Sequence, residues 1–160
     1  MNTSPSPNPS SSLDIFVRAS ANVLEFSVFT LQGTGVAKTL QTFISDMYGL
    51  TLYEPWILRL YKLPTDPSAK RAEVEALLAD PCYGPMTQNL LMTWYTGSWY
   101  PLPQSWHANY QTAQADVEQV ISAQTYQEGL MWPVFGAHPQ GAKQQGWDAW
   151  SRPPQLPILS

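Results

Sequence analysis

At 160 residues and 17.9 kDa, the chain suits one domain with one hydrophobic core and leaves little room for a second. Hydrophobic residues make up 44%, whereas Asp, Glu, Lys and Arg reach only 12%, about half the roughly 25% of an ordinary soluble domain; the net charge is -4, and the lack of any Lys or Arg cluster argues against nucleic acid as a partner. The single cysteine, Cys82, excludes an internal disulfide and a zinc or iron-sulfur ligand set, and no apolar run approaches the roughly 18 residues of a membrane span.

Residues 1–12 are only Met, Asn, Thr, Ser and Pro, a composition that buries no apolar surface, and they read as a disordered tail. Their lack of a basic residue, the first being Arg18, gives no expectation of a secretory or twin-arginine leader. From Leu13 the chain takes up helical spacing: Leu13, Phe16, Val17, Ser20, Val23 and Leu24 predict a helix over residues 13–26, with Ser12 as N-cap and Asp14 near the positive end of its dipole. Gly33 and Gly35 interrupt the chain, and Val36 starts a second helix whose Leu40, Phe43, Ile44 and Met47 share a face and whose C-terminal glycine is Gly49.

Pro55 suits the first turn of a short helix carrying Trp56, Ile57, Leu60 and Tyr61, closed by Pro64. Asp66-Pro67-Ser68 opens a helix over residues 69–79 with Val74, Leu77 and Leu78 inward and Lys70, Arg71, Glu73 and Glu75 outward, and Asp80-Pro81 ends it. Met86, Leu90, Leu91, Trp94 and Tyr95 predict a helix over residues 85–95 that stops at Gly97; the two prolines of residues 100–106 make that stretch a loop. Val117, Val120, Ile121, Gln124 and Tyr126 predict a last helix from about residue 113 or 116 to 131. Without the alternation of a sheet, the fold class is all-α: one helical domain of about five helices over residues 13–132, followed by an extended, aromatic, Pro- and Gly-rich tail over 133–160.

The reactive inventory is thin. His107 has no carboxylate or Cys at ligand spacing and reads as a surface or packing residue, and Cys82 has no cation beside it to activate its thiol and reads as a small buried hydrophobe. His138, in GAHPQG, has Asp148 as its nearest carboxylate, which leaves a turn or partner contact as the better reading and a base with Asp148 as the weaker one. Gly33-Thr34-Gly35 lacks the context of a phosphate-binding loop. The seven tryptophans stand out: Trp99, Trp106, Trp132, Trp147 and Trp150 lie in Pro- or Gly-rich segments that cannot all be core, and low charge with loop aromatics is the composition of a protein interface. The competing reading is a tail that wraps over its own helices.

Several stretches, FVRASANVLEF, LQGTG, LLADP, NLLMTWYTGSWYPLP and VISAQTYQEGLMWPVFGAHPQGAKQQGWDAWSRPP, resemble in that order the small subunits of membrane-bound FAD-dependent sugar dehydrogenase complexes, those of sorbitol, fructose and glucose. The resemblance covers residues 13–154, and WYTGSW and LMWPVFGAHPQG are its specific parts. It implies a subunit with no cofactor and no catalytic or metal-binding residue, which binds and stabilises a large FAD-containing catalytic subunit of glucose-methanol-choline type. Electrons would then leave through a multihaem cytochrome c subunit or another acceptor. It further implies a place on the periplasmic face of the inner membrane, with a leader on some small subunits of the family; the basic-free start here leaves the cytoplasm as the alternative. On this reading Trp94, Tyr95, Trp99 and Trp132 anchor the partner, with His138 and Pro139 beside them, and Trp147 and Trp150 clamp the tail. Two other classes compete: a general adaptor or chaperone with exposed aromatic surface, and a small hydrolase using His138 with Asp148, which no nucleophile elbow supports.

Overall fold

The apolar stripe of Phe16, Val17, Ala19 and Leu24 buries one face of α1 (Ser12–Leu24) in the computed structural model, which describes residues 11–139. The N-cap is Ser11, one residue earlier than the pattern suggests: its hydroxyl accepts from the Asp14 N–H at 3.2 Å. Glu25 takes the left-handed conformation at φ 60° and ends the helix two residues short of expectation. That early stop frees Ser27 to cap a further short helix, α2 (Val28–Gly33), by accepting from the Thr30 N–H at 3.0 Å.

α3 (Ala37–Tyr48) runs from Val36 to Gly49 and buries Leu40, Ile44 and Met47, as its spacing predicts. α4 (Leu50–Tyr61) begins earlier than expected, and Pro55 lies in its interior rather than its first turn. The proline removes the N–H that the Thr51 carbonyl would accept from, but both residues are exposed and solvent can serve that carbonyl. α5 (Pro67–Ala79) is capped by the Asp66 carboxylate, 2.9 Å from the Ala69 N–H. It packs on α6 with a narrow stripe, so Leu77 is buried, Val74 half-buried, and Leu78, expected inside, is 38% exposed.

Asp80 then starts α6 (Tyr83–Thr96), its Oδ1 accepting from the Cys82 and Tyr83 N–H groups at 2.8 Å each. α6 is the central element, touching α1, α3 and α5 and burying Met86, Leu90 and Trp94. It stops at Gly97, whose φ of +70° and 2.2 Å approach of a hypothetical Cβ to the Thr125 carbonyl oxygen admit no side chain. The segment expected as a plain loop holds more structure. β1 (Ser98–Trp99) pairs antiparallel with β2 (Gln119–Val120), Ser98 opposite Val120, and the single turn α7 (Gln104–His107) carries Trp106 into the core.

The predicted helix through residue 131 is not formed. Residues 113–118 are irregular, β2 follows, and two short helices, α8 (Ala123–Gln127) and α9 (Met131–Phe135), take up the rest. The apolar period there was coincidental: Val117 and Val120 are 57% and 55% exposed. Two polar groups decide the local path instead. Asp116 turns inward to accept three hydrogen bonds, and Ser122 and Thr125 form a reciprocal capping box that starts α8 afresh. The described residues are therefore mostly helical, an all-α fold with one two-stranded ladder among them. Of the expected tails, residues 133–135 belong to α9, and residues 1–10 and 140–160 lie outside the described part.

The core is built on tryptophan. Trp56, Trp94, Trp99 and Trp106 are each at most 1% exposed, and each indole N–H has an acceptor: Thr87 Oγ1 at 3.0 Å, Ser20 Oγ at 3.0 Å, Asp116 Oδ1 at 2.7 Å and the Cys82 carbonyl at 3.0 Å respectively. The Tyr48 ring sits among three of them, with centroids 5.5, 5.4 and 6.4 Å from Trp56, Trp99 and Trp106.

Candidate functional site

The groove between α2 and the α8–α9 corner gathers three of the sequence-predicted site residues, Trp132, His138 and Pro139. Leu130 anchors this corner: it is buried, and its N–H donates to the Trp94 carbonyl at 3.1 Å. Gly129 lies against the Tyr95 carbonyl, where a Cβ would come within 2.6 Å, so the joint between α8 and α9 is seated on the end of α6. Trp132 stands edge-on to Tyr126 with centroids 5.5 Å apart and donates from Nε1 to the Tyr126 carbonyl at 2.7 Å. Gly136, at φ +62°, caps α9, and the Ala137 N–H donates to the Trp132 carbonyl at 2.9 Å, which turns the chain back into the groove.

The resulting groove has a volume of about 270 Å³ and is lined by Thr30 and Thr34 on one wall and by Leu130, Trp132, Pro133 and His138 on the other. Next to Thr30 on its helix, Phe29 is 85% exposed; beyond Pro133, Val134 and Phe135 are 57% and 78% exposed. Large apolar side chains this open, each within two residues in sequence of a residue that lines the groove, are the form an interaction surface takes. Three predicted site residues meet here: Trp132, half-buried; His138, exposed; and Pro139, buried against the groove. Tyr95 is half-buried and edge-on to Phe26 at 6.3 Å.

Trp94 and Trp99 are not surface anchors. At 1% and 0% exposure their rings belong to the core, with Trp94 stacked on Phe16 at 5.9 Å and Trp99 edge-on to Phe43 at 5.7 Å. Trp147 and Trp150 lie outside the described residues, as does Asp148, the proposed companion of His138. Sequence reasoning missed Phe29 and Phe135, because a helix of five or six residues is too short to set up a period from which an outward face could be read.

A second polar constellation was also missed. His107 Nε2 lies 2.6 Å from Asp116 Oδ2, across a nine-residue separation that no ligand spacing singled out. The Asp116 side chain is only 7% exposed and also accepts from Trp99 Nε1 at 2.7 Å and from the Leu102 N–H at 2.8 Å. Such a pair is the orienting half of a catalytic base. Its surroundings are those of a fastener: the carboxylate ties β1, residue 102 and α7 together. Cys82, close by in the fold through the Trp106 bond to its carbonyl, is a poor nucleophile, since burial and then the charge of Asp80 push its thiol pKa up.

Among the described residues no group of three or more His, Cys, Asp and Glu could hold a metal ion, and no helix is long and apolar enough to cross a membrane. No family model, no curated protein and no solved structure matches the chain.

Proposed function

We propose that this protein is the non-catalytic small subunit of an FAD-dependent sugar or alcohol dehydrogenase complex. Its α2–α9 face would dock on a large flavoprotein of glucose-methanol-choline type. The observation that carries the reading is a coincidence of sequence and surface: the LMWPVFGAHP stretch, one of the specific parts of the resemblance, contributes Trp132, Pro133 and His138 to the groove and carries Val134 and Phe135 out to solvent. WYTGSW, the other specific stretch, supplies core and the seat of that wall through the Trp94 carbonyl.

The physical role follows from burial. Covering a side chain the size of Phe or Val contributes about 1.5–3 kcal/mol, so Phe29, Val134 and Phe135 together form a strong centre for an interface of about 1,600 Å². A subunit that binds only the folded partner stabilises it by mass action, by about 2.7 kcal/mol at a hundredfold excess over Kd. The flavin, the substrate and the electron exit to a multihaem cytochrome c would belong to other chains. The complex would sit at the periplasmic face of the inner membrane.

The test is to tag the chain in its host, purify it gently and record the masses and absorption of what elutes. One stoichiometric large chain with a flavin spectrum and dye-linked sugar oxidation supports the proposal. A colourless monomer refutes it, and many unrelated unfolded clients would favour a general chaperone.

A further inference from the structure

Five tryptophans belong to the described residues, and each indole N–H is hydrogen-bonded, but to acceptors of different basicity. Trp56 donates to the Thr87 hydroxyl, Trp94 to the Ser20 hydroxyl, and Trp106 and Trp132 to the carbonyls of Cys82 and Tyr126. Trp99 alone among them donates to a carboxylate, Asp116 Oδ1, at 2.7 Å. The difference matters once an electron is removed. A neutral indole is a very weak acid, whereas its radical cation is a strong one, so the fate of an oxidised tryptophan depends on a base within reach of Nε1. A neutral hydroxyl or carbonyl is too weak a base to take that proton, and a carboxylate can take it.

Asp116 is held in place for this. Its Oδ2 accepts from the Leu102 N–H and lies 2.6 Å from His107 Nε2, so the partly exposed imidazole links a buried carboxylate to the surface. In so dry a setting the negative charge beside Trp99 also favours loss of an electron from that ring over the other indoles. A chain of rings reaches Trp99 from outside. Tyr110 is half-buried, its ring 5.4 Å from Trp106; Trp106 is 6.4 Å from Tyr48, and Tyr48 is 5.4 Å from Trp99, centroid to centroid. Rings this close pass an electron from one to the next. Tyr48 cannot keep the oxidising equivalent, because its buried hydroxyl has no hydrogen-bond acceptor to take the phenol proton.

We propose that Trp99 and Asp116, with His107 as their link to the surface, form a redox site that takes up one oxidising equivalent from an outer-sphere one-electron oxidant. One electron leaves the Trp99 indole by way of Tyr48, Trp106 and Tyr110. The Nε1–H bond breaks, its proton forms an O–H bond on Asp116 Oδ1, and a neutral indolyl radical remains, enclosed at 0% exposure. One electron from a donor at the same surface and the return of that proton restore the indole. The site shares no residue with the lining of the α2–α9 groove and stands or falls independently of the flavoprotein reading.

The test is flash photolysis of the full chain with photogenerated tris-bipyridine ruthenium(III), read by transient absorption and electron paramagnetic resonance, which tell a neutral indolyl radical from an indolyl radical cation and from a phenoxyl radical. The expected result is a long-lived neutral indolyl radical that Trp99→Phe loses and Trp132→Phe keeps. Survival of that signal in a folded Trp99→Phe variant, or a phenoxyl radical or indolyl radical cation as the end state of the wild-type chain, would overturn the proposal. Should Trp99→Phe fail to fold, the triple variant Trp132→Phe, Trp147→Phe, Trp150→Phe gives the decision, since it leaves only the four enclosed tryptophans, of which Trp99 is the one bonded to a carboxylate. Persistence of the neutral indolyl radical there supports the site, and its loss overturns it.

Discussion

Replacing Asp116 by Ala isolates the fastener that holds the second half of the domain. The carboxylate accepts from Trp99 Nε1 at 2.7 Å and from the Leu102 N–H at 2.8 Å, and those residues are 0% and 5% exposed. Without it both donors are left buried and unpaired, at about 1–3 kcal/mol each, so the loss is roughly 2–6 kcal/mol. The third partner, His107, is 34% exposed at its side chain and turns to water at small cost. Against a total stability of about 5–15 kcal/mol this is a large fraction, and for a domain of this size it lowers Tm by roughly 4–24 °C. Thermal unfolding followed by far-ultraviolet circular dichroism, with the near-ultraviolet signal reporting the Trp99 environment, measures it. His107→Ala is the control and should cost under about 1 kcal/mol, because Asp116 keeps its two buried donors. An Asp116→Ala variant within about 3 °C of wild type, or equal losses in the two variants, would refute the reasoning.

Three further outcomes are expected, two from the structure and one from the sequence. Tyr53 is raised to about 12, and Tyr48 is held well above its ordinary value of 10.0 by burial and then by the charges of Asp116 and Cys82. Between pH 10 and 12 the unfolded chain therefore releases protons that the folded chain keeps, so stability that is complete below pH 10 falls as pH rises, by up to about 1.4 kcal/mol per pH unit for each tyrosine; phenolate absorbance should show two tyrosines ionising only as the fold is lost. Gly97→Ala combines a left-handed backbone with a 2.2 Å clash against the Thr125 carbonyl oxygen, and the variant should lose more than about 3 kcal/mol in denaturant unfolding or fail to fold. Trp147→Ala with Trp150→Ala should weaken capture of the flavoprotein partner while leaving the unfolding midpoint unchanged; an equal fall in both would mean that these tryptophans cover their own domain.

α3, α5 and α6 were readable because each carries an apolar stripe and a legible end: Gly49 after Tyr48, Asp66 before Pro67, Gly97 after Thr96; α4 was read only in part, since Pro55 lies in its interior and gives no start signal. The second half of the chain was not, because its path is set by long-range polar contacts. Nothing in the spacing of Val117, Val120 and Ile121 reveals that Asp116 turns inward to Trp99, and the helical period they mimic dissolves once it does. Trp99 and Trp106 misled for the same reason: they sit beside prolines and glycines, yet a short ladder and one helical turn fold them inward, where Asp116 and the Cys82 carbonyl satisfy their N–H groups. Of the candidate groove, Trp132, His138 and Pro139 stand in the motif that the sequence singles out, whereas the exposure of Phe29 and Phe135, on helices of five or six residues, shows only in the fold.

In the proposed function, the α2–α9 face is where this chain would meet a flavoprotein partner. The most direct measurement is the amount of flavin-containing large chain that co-purifies with the Phe29→Ser, Phe135→Ser double variant, compared with wild type at matched expression. Both side chains are more than three-quarters exposed, so the account predicts an unchanged melting temperature together with at least a tenfold loss of the co-purified flavoprotein. Full recovery of the flavoprotein by a folded double variant would contradict it.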